Sequence, residues 1–334
     1  MIWNSSKVLF LTILISSSLI TLSANNWLGM WMGLEMNLMS FIPLISKSKN
    51  KKSSQAMMIY FLSQSIGSIT LLFSVLINSL VFTYPTLINE LTTIMIMISI
   101  MIKVGAAPFH FWLPEMMANL NWSECMLLMT WQKIAPLTIL SNIMPNNWFL
   151  YISVILSATV GSIGGLNQTS LRKILAYSSI NHVGWMMMFM SMNTSWYKYL
   201  IIYSVLIIMI CILMKKKNAF FMNQLVSSSP SLMEKITYTI LFLSIGGLPP
   251  FLGFLPKWMV IQSLINSGMY LLMVIMMLLS LLTLFYYLRM MTSFILSYST
   301  INKWIVHKTP NSFLLFTFLS MNLTLPVFMI IGFF

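Results

Sequence analysis

Two stretches of ten residues decide the fold of this chain. "GAAPFHFWLP" covers residues 105–114, "GLPPFLGFLP" covers residues 247–256, and both read G-x-x-P-F-x-x-x-L-P. Each lies in an apolar run, and each contains proline, which removes a backbone donor and clashes with the preceding helical turn. The pattern therefore predicts two helices that break inside hydrophobic segments. The residues assigned to the breaks are Gly105, Pro108, Gly247, Pro249 and Pro250.

The composition predicts a chain that faces lipid. Of its 334 residues, 58% are hydrophobic and only 7% are charged, whereas soluble domains carry about 25% charged residues. The net charge of +13 could suggest nucleic-acid binding. We expect no nucleic-acid partner, because the charges lie in short connections between apolar runs and do not line one polar face.

The apolar runs predict an all-α membrane protein with about eleven transmembrane helices, since a bilayer core needs about 20 apolar residues per helix. We expect one polytopic membrane domain over residues 1–334, with antiporter-like inverted repeats and two discontinuous helices. The repeats are placed at about 4–142 and 148–296, followed by a C-terminal span at 311–333. The predicted spans are 4–23, 25–46, 56–82, 88–112, 122–142, 148–166, 170–191, 196–214, 235–265, 269–296 and 311–333.

The basic residues predict the orientation of the chain. With these spans, 14 lysines and arginines fall on the side of the N-terminus, Lys198 alone falls on the opposite side, and three lie within spans. Basic loops face the inner side of a membrane. We therefore expect the N-terminus on the inner side and the C-terminus, after an odd number of crossings, on the outer side.

The two breaks fall in the fourth and ninth predicted spans, which cross the membrane in opposite directions. Interrupted helices at matching places of inverted repeats are typical of the working site of a transporter. Unwound backbone at this depth is tolerated only where it packs in protein or lines a wet cavity. The alternative is a pair of ordinary proline kinks, and we favour the functional interpretation.

Four charged residues are placed deep in the membrane by the predicted spans: Glu35, Lys103, Lys133 and Lys257. Each costs at least about 2.5–3.5 kcal/mol at the bilayer centre. Burial disfavours the charged form of a lysine and a nearby carboxylate favours it, so a row of such lysines can pass a proton along. The alternative is a set of static ion pairs, but one acid cannot pair with three lysines.

Two histidines are further candidates for this relay. His110 lies inside the first break, where a relay role and a hydrogen-bonded structural role both stay open. His182 lies in "SSINHVGW", a polar cluster that could hold water between Lys133 and Lys257. Histidine exchanges protons near neutral pH, so we expect a relay role for His182.

Two other acidic residues are assigned structural roles. Asn121-x-x-Glu124 and Ser231-x-x-Glu234 both precede an apolar run and have the pattern of a capping box. In that motif the acidic side chain accepts a hydrogen bond from the backbone at the start of the helix. We therefore interpret Glu124 and Glu234 as helix caps.

The chain has no recognisable motif for a metal or a cofactor. Cys125 and Cys211 lie in separate apolar runs, without metal-ligand spacing, and are interpreted as buried free thiols. No Walker motif, C-x-x-C pair, haem-binding signature or nucleophile–base pair is found. We expect no redox centre, nucleotide site or metal site in this chain.

Five ordered stretches resemble a known family. They are "NNWLGMWMGLEMNLMSFIPLI", "IKVGAAPFHFWLPEMM", "TWQKIAPL", "GGLNQTSLRKILAYSSINHVGW" and "GGLPPFLGFLPKW". Together they resemble chain 2 of NADH–ubiquinone oxidoreductase, in its short, insect-like, mitochondrially encoded form. The resemblance covers nearly the whole chain.

The resemblance implies a proton-translocating, antiporter-like subunit in the membrane arm of respiratory complex I. It implies Glu35 and Lys103 as an interacting pair, Lys133 as the central relay and Lys257 as the terminal group. It also implies a mitochondrial inner membrane with the basic loops in the matrix, and other membrane-arm subunits and phospholipids, including cardiolipin, as partners. FMN, iron–sulfur clusters and ubiquinone would belong to other subunits.

Two alternatives stay open at this point. One is a stand-alone cation/proton antiporter, and the other is a structural membrane-arm subunit whose charges no longer conduct. Bacterial relatives have additional N-terminal spans that this chain lacks. We therefore expect another subunit or lipid to cover the helices exposed by their loss.

Overall fold

The structure, a computed structural model, describes residues 5–46, 51–80, 85–143, 148–192, 194–228, 232–299 and 312–326. These residues form fifteen α-helices and no β-strand. The helices are α1 Ser5–Ser23, α2 Trp27–Ser46, α3 Lys51–Leu80, α4 Pro85–Val104, α5 Trp112–Asn119, α6 Trp122–Met129, α7 Trp131–Ile143, α8 Trp148–Gly164, α9 Leu171–Ser191, α10 Trp196–Lys217, α11 Met222–Ser228, α12 Leu232–Gly246, α13 Phe254–Asn266, α14 Tyr270–Ser299 and α15 Ser312–Asn322.

The all-α prediction is confirmed, and every predicted span falls on one helix or on a pair of helices. The predicted span 88–112 contains α4 and the first break, and 235–265 contains α12, the second break and α13. Among the described residues, five helices are individually long and apolar enough to cross a membrane, namely α1, α2, α3, α10 and α14. The number of eleven spans stays a prediction. The short helices α5 and α11 were not predicted.

Large apolar side chains lie on the outer surface of the long helices. On α14, for example, Leu271, Leu281 and Phe285 are all more than half exposed. Contiguous apolar surface of this kind is unfavourable in water and suits hydrocarbon. The chain is a multi-pass membrane protein.

The chain divides into two compact units, Met1–Leu156 and Ser157–Phe334. In the first unit, α3 packs against α2, α4 and α5, and α7 packs against α4 and α6. In the second unit, α10 packs against α9, α12 and α13, and α12 packs against α14 and α15. The arrangement as one domain of two inverted repeats stays a prediction.

The first break begins where α4 ends, in the first unit. Gly105 has φ +76°, a left-handed conformation that glycine adopts without the strain of a Cβ atom. The Ala106 N–H donates to the Met101 carbonyl at 3.1 Å, which is the hydrogen bond of a Schellman helix end. Pro108 follows, where a proline prevents the helix from resuming.

The second break repeats this geometry in the second unit. Gly247, directly after α12, has φ +78°. The Leu248 N–H donates to the Leu243 carbonyl at 3.3 Å, and Pro249 and Pro250 follow. The structure thus contains both breaks at the glycines from which the sequence predicted them.

The interpretation of Glu124 as a cap agrees with the structure. Its carboxylate accepts a hydrogen bond from the Asn121 backbone N–H at 3.1 Å, at the start of α6. The second predicted box includes Ser231, which lies outside the described residues. Glu234 itself forms an ion pair with Lys217 at 2.7 Å.

The two cysteines, Cys125 and Cys211, are buried and form no disulfide, as the sequence predicted.

Candidate functional site

The three lysines that the sequence analysis placed deep in the membrane are among the buried lysines of the described residues. Lys103 is 6% exposed, Lys133 is 3% exposed and Lys257 is 4% exposed. Lysine is almost never buried to this degree unless partners compensate its charge. The partners of each lysine therefore decide what it can do.

In the first unit, Lys103 lies in the last turn of α4, directly before the break. Its aliphatic stem crosses α3 at Gly67, where a Cβ atom would stand 3.0 Å from the Lys103 Cγ. The half-buried Glu35 on α2 interacts electrostatically with both Lys103 and Tyr60. Within the described residues, Glu35 and Lys103 form no direct ion pair, so the two charges act on each other through space.

The backbone carbonyls freed at the first break are capped by side chains. Trp112 donates its Nε1–H to the Ile102 carbonyl at 3.0 Å. Gln64 on α3 donates its Nε2–H to the Lys103 carbonyl at 3.2 Å. A buried carbonyl without a donor would cost about 1–3 kcal/mol, so these two bonds stabilise the open end of α4.

A cavity joins Lys103 to Lys133. Two of its polar lining atoms, the Asn37 Oδ1 and the Gln132 Nε2, are buried without a hydrogen-bond partner among the described residues. The cavity has room for at least one water molecule, and unsatisfied polar groups are what a buried water needs. It is lined by Leu34, Asn37, Tyr60, Gln64, Lys103, Val104, Trp112, Leu113, Leu128, Gln132, Lys133 and Pro136.

The helix is irregular on both sides of Lys133. At Thr130, between α6 and α7, the backbone has φ −109° and ψ −73°, and the hydroxyl donates to the Met126 carbonyl at 2.7 Å. On the other side, Pro136 lies inside α7 and cannot donate to the Gln132 carbonyl four residues earlier. The predicted span 122–142 was continuous, and the interruption at Thr130 was missed.

In the second unit, Lys257 caps the second break. Its Nζ donates to the Gly246 carbonyl at 2.7 Å, at the negative end of the α12 dipole. The ammonium also lies 5.9 Å from the centroid of the Trp185 ring. The sequence placed Lys257 next to the second break, and in the structure its amine binds the end of the broken helix α12.

His182 lies next to the second break. A 2.8 Å hydrogen bond joins its Nδ1 to the Tyr199 hydroxyl, and its ring centroid lies 4.9 Å from that of Tyr203. A second cavity extends from His182 to the break, because Ser244 and Gly253 line its far side. This geometry makes proton exchange between His182 and the break possible.

His110 is held by its own loop. Its Nδ1–H donates to the Pro108 carbonyl at 3.1 Å, and its ring stacks on that of Phe111 at 4.1 Å. It does not line the cavity between Lys103 and Lys133. The described contacts of His110 are therefore those of a hydrogen-bonded, structural residue, which is one of the two roles left open by the sequence.

Several neutral polar residues of the site were not predicted from the sequence. Tyr60 donates its hydroxyl to the Gln132 Oε1 at 3.3 Å, and Tyr60 and Gln64 stand four residues apart on α3. Polar residues at this spacing share one face of a helix. That spacing within an apolar span was the signal that could have revealed them.

The described residues contain no group of three or more histidine, cysteine, aspartate or glutamate residues arranged to hold a metal ion. The expectation that this chain carries no cofactor stays a prediction. What the site does contain is a set of buried, titratable side chains.

Comparison with known proteins gives the family. The sequence profile of the family described as "NADH:quinone oxidoreductase/Mrp antiporter, TM" matches residues 24–283. NADH-ubiquinone oxidoreductase chain 2 of Locusta migratoria is 45% identical over 304 residues, which cover 90% of this chain and 89% of the locust protein. The chain belongs to the NADH-ubiquinone oxidoreductase chain 2 family. Chain 2 of Anopheles gambiae is 45% identical over 94% of this chain and 95% of the mosquito protein.

Solved structures agree on the fold of this chain 2 protein. A chain of respiratory complex I from Thermus thermophilus with bound aureothin superimposes with a TM-score of 0.84 at 20% identity, over 97% of this chain and 78% of that one. A chain of the Mrp complex from Dietzia sp. gives a TM-score of 0.74 at 14% identity, over 90% and 61% of the two chains. Because the family model and the curated relatives place the chain in this family, it is an antiporter-like, proton-translocating membrane subunit of NADH:ubiquinone oxidoreductase.

Proposed function

We propose that the buried charges themselves carry protons in this chain 2 protein. Glu35, Lys103 and Lys133 form the relay of the first unit, and His182 and Lys257 form that of the second. The observation that carries the proposal is the cavity between Lys103 and Lys133, lined by polar atoms that lack partners within the described chain. A water molecule there would connect two amines that are both buried.

Glu35 would control the first step. A carboxylate near a buried lysine favours the protonated amine, and Glu35 interacts electrostatically with Lys103 without a direct ion pair. When a proton or another charge neutralises Glu35, Lys103 loses this stabilisation and can release its proton into the cavity. Lys133, which lines the same cavity, would accept it.

Lys257 would serve the second unit in the same way. Its amine donates to the Gly246 carbonyl, and a lysine side chain can make that bond both as ammonium and as neutral amine. The hydrogen bond therefore does not prevent loss of the proton. His182, which lines the second cavity together with Pro256, the residue before Lys257, would exchange this proton. We give His110 no step, because its Nδ1–H is bonded to its own loop.

We also infer the surroundings of the chain. The basic loops would lie in the matrix and the helices in the mitochondrial inner membrane, in accordance with the asymmetry of lysine and arginine. The structural neighbours are chains of multisubunit complexes, and we expect other membrane-arm subunits and phospholipids, including cardiolipin, to cover the outer helices. FMN, iron–sulfur clusters and ubiquinone would act in other subunits.

Replacement of Lys133 tests the proposal. In the assembled complex in liposomes, we expect Lys133→Met and Lys133→Arg both to lower NADH-driven proton uptake, read with a pH-sensitive dye. Arginine keeps the charge but does not release its proton, so it separates a relay from a static charge. A normal proton yield per NADH in both variants would instead favour a structural, non-conducting subunit.

Purification separates the remaining alternative. If the chain acts within complex I, it migrates with a large NADH-oxidising assembly. An isolated chain that exchanges cations for protons in liposomes would indicate a stand-alone antiporter.

A further inference from the structure

A group of buried hydroxyls lies in the second unit, apart from the breaks. Tyr203 on α10 and Tyr286 and Tyr287 on α14 are each at most 2% exposed. Ser178 and Ser179, on α9, are equally buried. We call these five side chains the hydroxyl cluster. The two serines belong to the polar stretch around His182 that the sequence indicated, but the tyrosines were not predicted, since they come from two helices distant in the chain.

The members of the hydroxyl cluster lie next to one another, and one end of the cluster reaches His182. The Tyr287 hydroxyl lies beside those of Tyr286 and Ser178. Tyr203 lies close to Tyr287 and to Ser179. The Tyr203 ring is in turn 4.9 Å from the ring of His182, measured between centroids.

The other end of the hydroxyl cluster reaches a polar loop. The Tyr286 ring packs on Gly165, where a Cβ atom would stand 2.8 Å from the ring. Arg289, three residues after Tyr286, donates to the carbonyls of Leu166 and Gln168 and so fixes α14 to this loop. Residues 167 and 169 of the loop are exposed. The buried tyrosines thus begin directly beneath exposed, polar backbone.

The arrangement is unusual for packing alone. Burying a hydroxyl without a hydrogen bond costs free energy, and the hydroxyls of Tyr286 and Tyr287 make no hydrogen bond of normal geometry within the described residues. Phenylalanine would fill the same space without that cost. A hydroxyl can donate and accept at once, so a small rotation or a bridging water would join neighbouring members into a chain.

We propose that the hydroxyl cluster is a proton path between the loop at residues 166–169 and His182. A proton arrives on one side of each hydroxyl oxygen while another leaves on the other side, so that no tyrosine has to ionise. With Arg289 among the basic residues predicted on the inner side, the path would supply His182 from that side. The inference rests on the proposed function, because it needs a proton relay at His182 to feed.

Removal of single oxygen atoms tests the path. Tyr287→Phe and Tyr203→Phe each delete one hydroxyl and keep the ring. Tyr238→Phe is the matched control, since Tyr238 is also 1% exposed in this unit but lies near Glu234 on α12. In the assembled complex in liposomes, we expect coupled NADH:quinone turnover and proton uptake to fall at least about tenfold for the first two, since a positioned proton-transfer group contributes roughly 10²–10⁴-fold. The control should keep the wild-type rate.

Lys133→Met is measured beside these variants so that two failures can be told apart. If it stops proton uptake while Tyr287→Phe and Tyr203→Phe both pump normally, the relay stands and the hydroxyl path is wrong. If Lys133→Met itself pumps normally, the proposed function fails first. Equal loss in Tyr238→Phe would show a general packing defect and would overturn the path as well. Blue-native gels check that each complex is assembled.

Discussion

The Nζ of Lys257 donates a 2.7 Å hydrogen bond to the carbonyl of Gly246, the last residue of α12. The amine thus takes the place of the backbone donor that the break removed. Gly247 lies under this side chain, because a Cβ atom there would stand 2.8–2.9 Å from the Lys257 Cδ, Cε and Nζ. The break and the buried charge therefore depend on the same glycine.

This dependence predicts the effect of Gly247→Ala. The left-handed backbone costs a non-glycine residue roughly 1–2 kcal/mol, and the new methyl group displaces the Lys257 amine. Gly268→Ala is the control, since Gly268 has φ +73° and a Cβ atom there would meet no other atom within 4 Å. We expect both variants to lower thermal stability of the complex, but only Gly247→Ala to lower proton uptake. Equal proton uptake in the two variants would contradict the prediction.

The cavity in the first unit predicts that Asn37→Leu keeps the stability of the complex but lowers its coupled turnover. The Asn37 Oδ1 has no hydrogen-bond partner among the described residues, so its removal costs little stability and can even be stabilising. If the oxygen positions water between Lys103 and Lys133, coupled turnover falls by about tenfold. Turnover and melting temperature of the complex are measured together. A variant that is stable and fully active would exclude water transfer at Asn37.

Two of the acidic residues of the first unit, Glu35 and Glu124, are expected to differ in their roles. Glu124→Ala removes a helix cap and should cost about 0.5–2 kcal/mol of stability, with an unchanged number of protons per NADH. Glu35→Gln removes the charge that acts on Lys103 and should lower proton uptake with little loss of stability. The comparison is made by dye uptake and by thermal denaturation. Loss of pumping in Glu124→Ala at a temperature where the complex is folded would show that its role is not only structural.

The capping of the first break predicts a loss of stability in Trp112→Phe. The variant leaves the buried Ile102 carbonyl without the indole donor that now binds it at 3.0 Å, at a cost of about 1–3 kcal/mol. Trp258→Phe, at a position that is 42% exposed, serves as the control and should change the melting temperature little. Equal melting temperatures for the two variants would mean that the indole bond contributes nothing at this break.

The sequence predicted the breaks and the buried charges for physical reasons. Proline and glycine within an apolar run leave few conformations, and a lysine in such a run stands out because lipid tolerates so few charges. The buried positions of Lys103, Lys133 and Lys257 follow from that alone. Their neighbours do not, because Gln64 and Trp112 reach the freed carbonyls from other elements of the chain.

The neutral polar residues of the two units were harder to predict from the sequence than the charged ones. Serine and tyrosine are common in membrane helices and satisfy their own turn, as Ser178 does with the Leu175 carbonyl at 2.9 Å. Only tertiary packing shows that Tyr287 lies beside it. The irregularity at Thr130 was also hidden, since a threonine that bonds the carbonyl four residues earlier looks like any other helical threonine in the sequence.

The break after α12 has a consequence for how the chain enters the membrane during synthesis. α12 has 15 residues and α13 has 13, so α12 rises about 22 Å and α13 about 20 Å. Neither reaches the roughly 30 Å of a hydrocarbon core. Neither half can therefore span the membrane alone, and the two halves are expected to insert as one unit, with the intervening peptide groups sheltered from lipid.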